Sequence, residues 1–199
     1  MANKLVLSDI ADQRAYERER QDFRAHIIDL KKRRRVHVGP VLTLLFENRE
    51  TIRFQIQEMA RVEKLTSDEA IQGQLDTYNP LVPAAGQLCA TVFIELTSDE
   101  QLREWLPKLV GIERSLLLQL GHGVDAPRVR AITEEAHAEQ LTRDEITASV
   151  HYVRWELTPT QVDLMASGPV SVVSDHAAYS YHCVLDSTTL GEIATDLRD

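Results

Sequence analysis

The sequence predicts an α+β fold in which a largely antiparallel sheet packs against an N-terminal helical layer. Two patterns carry this prediction. Apolar residues recur at helical spacing over 12–34, and apolar residues alternate with others over 88–95, as in a half-buried strand. Helical segments separate the early strands, whereas turns separate the late ones. We therefore expect one domain over 1–199, helix-rich over 1–83 and sheet-rich over 84–199.

The composition is that of a soluble globular protein. Of the 199 residues, 43% are apolar and 27% are charged, which excludes collagen-like, disordered and coiled-coil-only chains. No run approaches the ~20 apolar residues that a membrane span needs, and the first residues lack the apolar segment of a secretory signal. Cys89 and Cys183 are far apart, with no C-x-x-C spacing. We expect a cytoplasmic protein with buried, reduced thiols.

Three helices and one strand are predicted in the helix-rich part. Apolar residues from Tyr16 to Leu30 alternate with charges in the manner of an amphipathic helix. Thr66 and Glu69 have the spacing of a capping box. Together these patterns predict a helix over 12–34, a strand over 36–46 bent near Gly39 and Pro40, and helices over 50–63 and 66–75. Apolar alternation at the start of the 50–63 helix leaves a strand there as the alternative.

Strands and capped helices are predicted in the sheet-rich part. Ser98 and Thr158 each precede a glutamine by three residues, as in a capping box, and Pro159 stands at a first helical position. The patterns predict strands over 88–95, 115–120, 128–132, 147–157, 170–173 and 181–185, and helices over 98–110, over 158–168 and from Thr189 onward.

Positive charge is concentrated at one end of the chain. Residues 1–35 carry ten Lys and Arg against six Asp and Glu, whereas 36–199 carry twelve against twenty-five. The basic block 31–35 suggests binding to nucleic acid or to an anionic lipid. The alternative is a solvated helix end, where cations complement the helix dipole. We favour the alternative, since the acidic remainder of the chain would repel a polyanion.

Common catalytic signatures are absent from the sequence. It contains no phosphate-binding G-x-x-x-x-G-K-[ST], no dinucleotide-binding G-x-G-x-x-G and no nucleophile elbow G-x-S-x-G. Glu134 and His137 have the E-x-x-H spacing of di-iron bundles, but such bundles need two copies on long helices. With one copy present, we interpret this pair as part of an exposed acidic stretch.

Three histidines are the candidate metal ligands. His151 lies within a predicted strand, and His176 and His182 flank the turn between the last two strands. If a turn brought them together with Glu47 or Glu58, the set would hold a divalent metal ion such as iron, manganese or zinc. The alternative is three unrelated imidazoles, each bonded to a backbone or carboxylate group.

A polar stripe on the 50–63 helix is another candidate site. Gln55, Glu58 and Arg61 recur every three residues and therefore share one helix face. Glu47 and Arg49 stand just before this helix. Such a stripe forms either a ligand-facing wall or a buried hydrogen-bond network. The alternative is the solvated side of an amphipathic helix.

Several segments together resemble a known bacterial family. They include LLFENR at 44–49 and VHYVRWEL at 150–157, with further segments at 30–35, 55–59, 75–83 and 175–179. Over nearly the whole chain, these segments resemble the bacterial domain-of-unknown-function family numbered 3501. Each segment is short, and the specificity lies in their combination.

The resemblance implies a cytoplasmic single-domain protein without an assigned activity. Members of this family are often encoded beside rubrerythrin-like proteins and iron–sulfur oxidoreductases of the heterodisulfide-reductase type. We therefore expect an accessory, partner-binding component of a redox or oxidative-stress module. The alternative is a metal- or small-ligand-binding enzyme, and a homo-oligomer stays open. Motif membership gives the candidate ligand-binding residues Glu47, Arg49, Gln55, Glu58, Arg154 and Tyr179.

Overall fold

A computed structural model describes residues 4–133 and 146–198 of the protein. Its helices are α1 (Gln13–Arg33), α2 (Arg49–Val62), α3 (Asp68–Tyr78), α4 (Asp99–Lys108), α5 (Pro159–Ser167) and α6 (Ser187–Asp196). Its strands are β1 (Arg35–Val38), β2 (Leu42–Glu47), β3 (Gln87–Ile94), β4 (Leu116–Leu120), β5 (Arg128–Arg130), β6 (Ile132–Thr133), β7 (Val150–Glu156), β8 (Val170–His176) and β9 (Tyr179–Val184). None of these helices combines the length and apolar character that crossing a membrane requires.

The strands form two antiparallel sheets, which confirms the predicted α+β class. The first sheet has the order β1-β2-β3-β7-β6, and the second has the order β5-β4-β8-β9. We predicted one largely antiparallel sheet, and the structure divides the strands between two. Period-two alternation identifies a strand without identifying its partner. Ala90 pairs with Val153 in the first sheet, whereas Leu118 pairs with Val172 in the second.

The main apolar core contains side chains from both sheets. Phe46 and Trp155 of the first sheet are fully buried, and their ring centroids lie 5.8 Å apart. Leu118 and Val172 of the second sheet are equally buried. Each such side chain contributes roughly 1.5–3 kcal/mol relative to an exposed one. This core therefore holds the two sheets together.

The predicted N-terminal helical layer covers the other face of the first sheet. A second apolar cluster contains Ile52 and Ile56 of α2 and Leu75 of α3, and Tyr152 of β7 packs against it. Because it has neighbours on both faces, β2 is buried at all six of its residues. A strand covered on both sides tends to be apolar along its whole length, and 41–46 is apolar except for Thr43.

The predicted bent strand over 36–46 is wrong, because the segment is a β-hairpin. Val38 pairs with Leu42, so the chain reverses between β1 and β2. Gly39 adopts a φ of +73° at the turn, a conformation that favours glycine. A Cβ atom at this position would also lie 2.7 Å from the hydroxyl oxygen of Tyr179. The glycine therefore allows a tight turn against the second sheet.

The basic block 31–35 spans the end of α1 and the start of β1, and its three arginines form ion pairs within the protein. Arg34 is 1% exposed, and its guanidinium donates to both carboxylate oxygens of Asp196 at 2.7 and 2.9 Å. Arg33 Nε donates to Glu192 at 3.0 Å. These contacts join the end of α1 to α6. The alternative of a purely solvated helix end is therefore wrong for Arg34.

Candidate functional site

A cavity of about 230 Å³ lies between the helical layer and the outer face of the first sheet. The strands β2, β3 and β7 supply one side, and α1, α2 and the end of α3 supply the other. The polar residues that line it are Lys31, Glu47, Gln55, Tyr78, Thr91 and Tyr152. The apolar residues that line it are Leu45, Ile52, Leu81, Phe93 and Val150.

Strand register places the sheet residues of this cavity next to one another. Leu45 of β2 lies opposite Thr91 of β3, and Thr91 lies opposite Tyr152 of β7. Glu47 is two residues beyond Leu45 and therefore points to the same face of the sheet. The helical layer covers this face, so a polar carboxylate is enclosed under α2.

Glu47 is an unusual buried carboxylate. It is 6% exposed, and Thr91 Oγ1 donates a hydrogen bond to Glu47 Oε1 at 2.6 Å. Within residues 4–133 and 146–198, no Lys, Arg or His nitrogen lies within 4.0 Å of it. Buried carboxylates in proteins are normally paired with a cation, because desolvation of an ion is costly. Among the described residues, Glu47 therefore has a hydrogen bond but no cationic partner.

Lys31 supplies the opposite charge at the same cavity. Its Nζ lies 5.7 Å from the ring centroid of Phe54, in a cation–π contact. In the part of the chain that the structure describes, Lys31 forms no ion pair. A half-buried ammonium and a buried carboxylate therefore line one cavity without pairing with each other.

Tyr152 is a hydrogen-bond donor at neutral pH. Burial raises the pKa of the Tyr152 hydroxyl, and the nearby Tyr78 and Glu47 raise it further. The phenol therefore stays protonated and able to donate. Gln55 adds an amide group from α2. The lining of the cavity therefore combines acidic and basic side chains, neutral hydrogen-bonding groups and apolar side chains.

The predicted stripe of Gln55, Glu58 and Arg61 is divided by the structure. Gln55 lines the cavity, whereas Glu58 faces α1. Glu58 accepts hydrogen bonds from Arg20 at 2.8 and 2.9 Å and from the Tyr16 hydroxyl at 2.7 Å. The hydrogen bonds from Arg20, and then the one from Tyr16, lower the pKa of Glu58 to about 2. This network joins α1 to α2, and its groups are already satisfied.

A smaller cavity of about 180 Å³ lies beside that network. Tyr16, Gln57 and Arg61 line it together with the residues before α1 and α3. Arg61 Nε is buried there and has no hydrogen-bond partner among the described residues. The guanidinium is nevertheless near Glu58 and Glu17, at 3.5 and 3.8 Å, so its charge is balanced within the protein.

The remaining predicted ligand-binding residues lie elsewhere and have partners within the protein. Arg49 lies 2.6 Å from Asp9, and Arg154 Nε donates to Glu156 at 3.1 Å. The Tyr179 hydroxyl donates to the Val38 carbonyl at 2.8 Å and accepts from two backbone N–H groups of the β1–β2 hairpin. Tyr179 is 1% exposed. The structure therefore gives Tyr179 a structural role rather than a place in the cavity.

The three candidate metal ligands occupy separate environments. His151 Nε2 is buried, 2.8 Å from Thr147 Oγ1 and 2.9 Å from the Ala148 carbonyl oxygen, and burial lowers its pKa. His176 Nε2 lies 3.1 Å from the Val110 carbonyl oxygen, and His182 is exposed on β9. Over 4–133 and 146–198, no three His, Cys, Asp or Glu side chains are grouped closely enough to hold a metal ion. The E-x-x-H pair at 134–137 lies outside the described residues.

Sequence reasoning missed three side chains of the cavity. Thr91 lies in the predicted strand 88–95, and Tyr152 lies in the predicted strand 147–157. Side chains alternate between the two faces of a strand, so the pattern assigns each of them to one face. Their proximity to Glu47 depends on strand pairing, which the pattern does not contain. Lys31 belongs to the basic block that we interpreted as a solvated helix end, so its place in a cavity was not predicted.

Comparisons with known proteins extend over nearly the whole chain. The model of one family, described as a protein of unknown function (DUF3501), matches residues 4–197. A crystal structure of a novel protein of unknown function from Burkholderia pseudomallei K96243 is similar, with 37% sequence identity and a TM-score of 0.88. The match covers 98% of this chain and 99% of that one. No curated protein matches the chain. The chain therefore belongs to the DUF3501 family, as the segments of its sequence indicate.

Proposed function

We propose that this protein binds a small polar molecule in the cavity between the helical layer and the first sheet. The observation that carries the proposal is Glu47, a buried carboxylate that lines the cavity and has no cationic partner among the described residues. An uncompensated buried charge destabilises a protein. Such a group persists at functional sites, where a ligand supplies the missing partner.

The size and lining of the cavity suit a compact ligand. Its volume of about 230 Å³ falls below the ~300–1,000 Å³ of pockets for drug-sized molecules. Leu45, Phe93 and Val150 provide apolar contact area, while a few polar groups would fix the orientation of the ligand. This is the small-ligand-binding alternative from the sequence, without its metal ion.

A cavity-blocking variant tests this proposal. Gln55→Trp places a large ring at the helical wall, and Gln74→Trp places the same ring at a half-buried position of α3 outside the cavity as the control. In a thermal-unfolding screen of small polar metabolites, we expect ligands that raise the Tm of the native chain and of Gln74→Trp, because binding to the folded state stabilises it. Gln55→Trp is expected to lose this shift. A Tm shift that survives in Gln55→Trp, or a screen without any shift, contradicts the proposal.

The second candidate function is an accessory role in a bacterial redox module. The observation that favours it is the formal net charge of −9, since an acidic surface steers association with a basic partner. A rubrerythrin-like protein and an iron–sulfur oxidoreductase are the partners that the family's genetic neighbourhood suggests. Titration calorimetry with each protein tests this role. Micromolar binding that weakens with salt is expected, and no binding at these concentrations contradicts it.

A further inference from the structure

We infer that the ligand of the cavity is a small aliphatic zwitterion, a molecule that carries both an ammonium and a carboxylate group. This inference rests on the proposed function. Its basis is the pair of opposite charges, Glu47 and Lys31, that line one cavity. Neither forms an ion pair with the other or with any other residue of 4–133 and 146–198.

Glu47 is the site for the ammonium group. A carboxylate offers about four lone-pair positions, and Thr91 uses one of them. A ligand ammonium would donate short, charge-assisted hydrogen bonds to the free positions. Because Glu47 is 6% exposed, bulk water screens such a bond weakly. The ammonium would thereby compensate for the desolvation of the carboxylate.

Lys31 is the site for the carboxylate group. It stands in the last turn of α1, is half-buried and lines the cavity, and its Nζ lies 5.7 Å from the ring centroid of Phe54. A negatively charged group here would give Lys31 the counter-charge that the described part of the protein does not supply.

Molecules with a single charge fit this pair less well. A simple amine would satisfy Glu47 but would bring a second positive charge into the cavity with Lys31. A simple carboxylate would satisfy Lys31 but would be repelled by Glu47. Opposite charges attract and like charges repel with comparable strength at the same distance. A molecule that carries both charges is therefore selected, with a short aliphatic body against Leu45, Phe93 and Val150.

Titration calorimetry on the full chain with four probes tests this inference. Valine and 5-aminopentanoate are isomeric zwitterions that differ in the separation of their charges, and pentylamine and pentanoate each carry one charge. We expect one of the two zwitterions to bind at least ~10-fold more tightly than either singly charged probe, which corresponds to a difference of about 1.4 kcal/mol.

Two charge-removing variants identify which residue holds which end. We expect Glu47→Gln to weaken zwitterion binding about 10-fold or more without weakening pentanoate binding, because repulsion from the carboxylate is gone. Lys31→Met is expected to weaken zwitterion binding without weakening pentylamine binding. Lys32→Met, at the exposed neighbouring position, is the control and should bind as the native chain does.

The outcomes separate this inference from the proposed function. If a singly charged probe binds the native chain as tightly as the tighter-binding zwitterion, the inference is overturned and the proposed function stands. The inference also fails, and the proposed function stands, if no probe binds while other metabolites give a Tm shift that Gln55→Trp abolishes. If no small molecule gives such a shift, both fail. The comparison among probes uses the native chain, so it does not depend on the folding of a variant.

Discussion

At the scale of single residues, Glu47 and Glu58 show how similar side chains take different roles in adjacent segments. Glu58 has Arg20 and Tyr16 as close partners, and these contacts lower its pKa to about 2. Glu47 has one hydroxyl partner in the described residues. The first carboxylate strengthens the contact of two helices, whereas the second is a cost to the free protein that a ligand would offset.

Removal of the Glu47 charge should therefore stabilise the ligand-free protein. Glu47→Gln keeps the shape of the side chain and an oxygen that can accept from Thr91, while it abolishes the buried charge. We expect the free energy of unfolding in urea to rise by about 1 kcal/mol. Glu63→Gln, on the exposed surface, serves as the control and should change little. A loss of about 1 kcal/mol or more in Glu47→Gln would show that the carboxylate is already well compensated.

Glu58 should give the protein an acid-sensitive contribution to stability. Its pKa is lowered from 4.5 to about 2 in the folded state, so the contribution is complete above pH 4.5. It is lost as the pH falls from 4.5 towards 2, because protons then favour the unfolded chain. We expect Glu58→Gln to lower the free energy of unfolding by about 1.5 kcal/mol at pH 7. In urea unfolding, the variant should also lose less stability than the native chain between pH 4.5 and 2. An unchanged slope between pH 4.5 and 2 would contradict this role.

At the scale of elements, the sequence patterns located most helices and strands but did not define every boundary. The caps Ser98 and Thr158 are confirmed, with each side-chain oxygen accepting from the backbone three residues on. The last helix begins earlier than predicted, because Asp186 rather than Thr189 caps it. Asp186 lies three residues before Thr189 and is a residue type that is favoured at helix N-caps, so the sequence contained a signal for the observed start of the helix.

The candidate site could be predicted only in part, for a similar reason. Glu47, Gln55 and Tyr78 all belong to segments that the sequence singled out, and they line one cavity. Glu58 stands three residues after Gln55, and this small rotation around α2 is enough to turn its side chain towards α1. Helical spacing gives the relative positions of side chains on one helix. It does not show which neighbour each side chain meets, since that depends on the tertiary packing.

The β1–β2 hairpin gives a prediction at the same scale. Gly39→Ala would combine a left-handed φ with a Cβ atom 2.6 Å from the Tyr181 ring and 2.7 Å from the Tyr179 hydroxyl. We expect it to lower the free energy of unfolding by about 2–3 kcal/mol. Gly73→Ala in α3 is the matched control, because no atom lies within 4 Å of its added Cβ. That variant should gain about 0.5–1 kcal/mol from helix propensity. Equal effects of the two substitutions would contradict this account of the turn.

At the scale of the whole molecule, contacts between distant parts of the sequence hold the layers in place. Lys4 Nζ donates to the carbonyl oxygens of Asn79 and Val82, and Arg34 binds Asp196. The end of α1 is thereby attached to α6, and the segment before α1 is attached to the end of α3. We propose that the chain unfolds as one cooperative domain, as its length and composition predicted.

The Arg34–Asp196 pair tests this connection between the first and last helices. Arg34→Met removes one partner of a buried ion pair, which typically costs 3–5 kcal/mol. We expect a loss of about that size in urea unfolding, with a single transition. The double variant Arg34→Met/Asp196→Leu should recover at least half of the loss, because apolar side chains then replace both partners of the buried pair. Lys32→Met, which alters an exposed position of the same block, should stay within ~0.5 kcal/mol of the native chain. No recovery in the double variant would contradict the assignment.

The most direct measurement of the central claim is an NMR titration of the protein with valine and with 5-aminopentanoate. It reports both whether a ligand binds and where it binds. We predict saturable shifts of backbone amides around Glu47, Thr91 and Tyr152, which surround the cavity, and no comparable shifts on β8 and β9. Shifts centred on the second sheet, or no saturable shift with either zwitterion, would contradict the account.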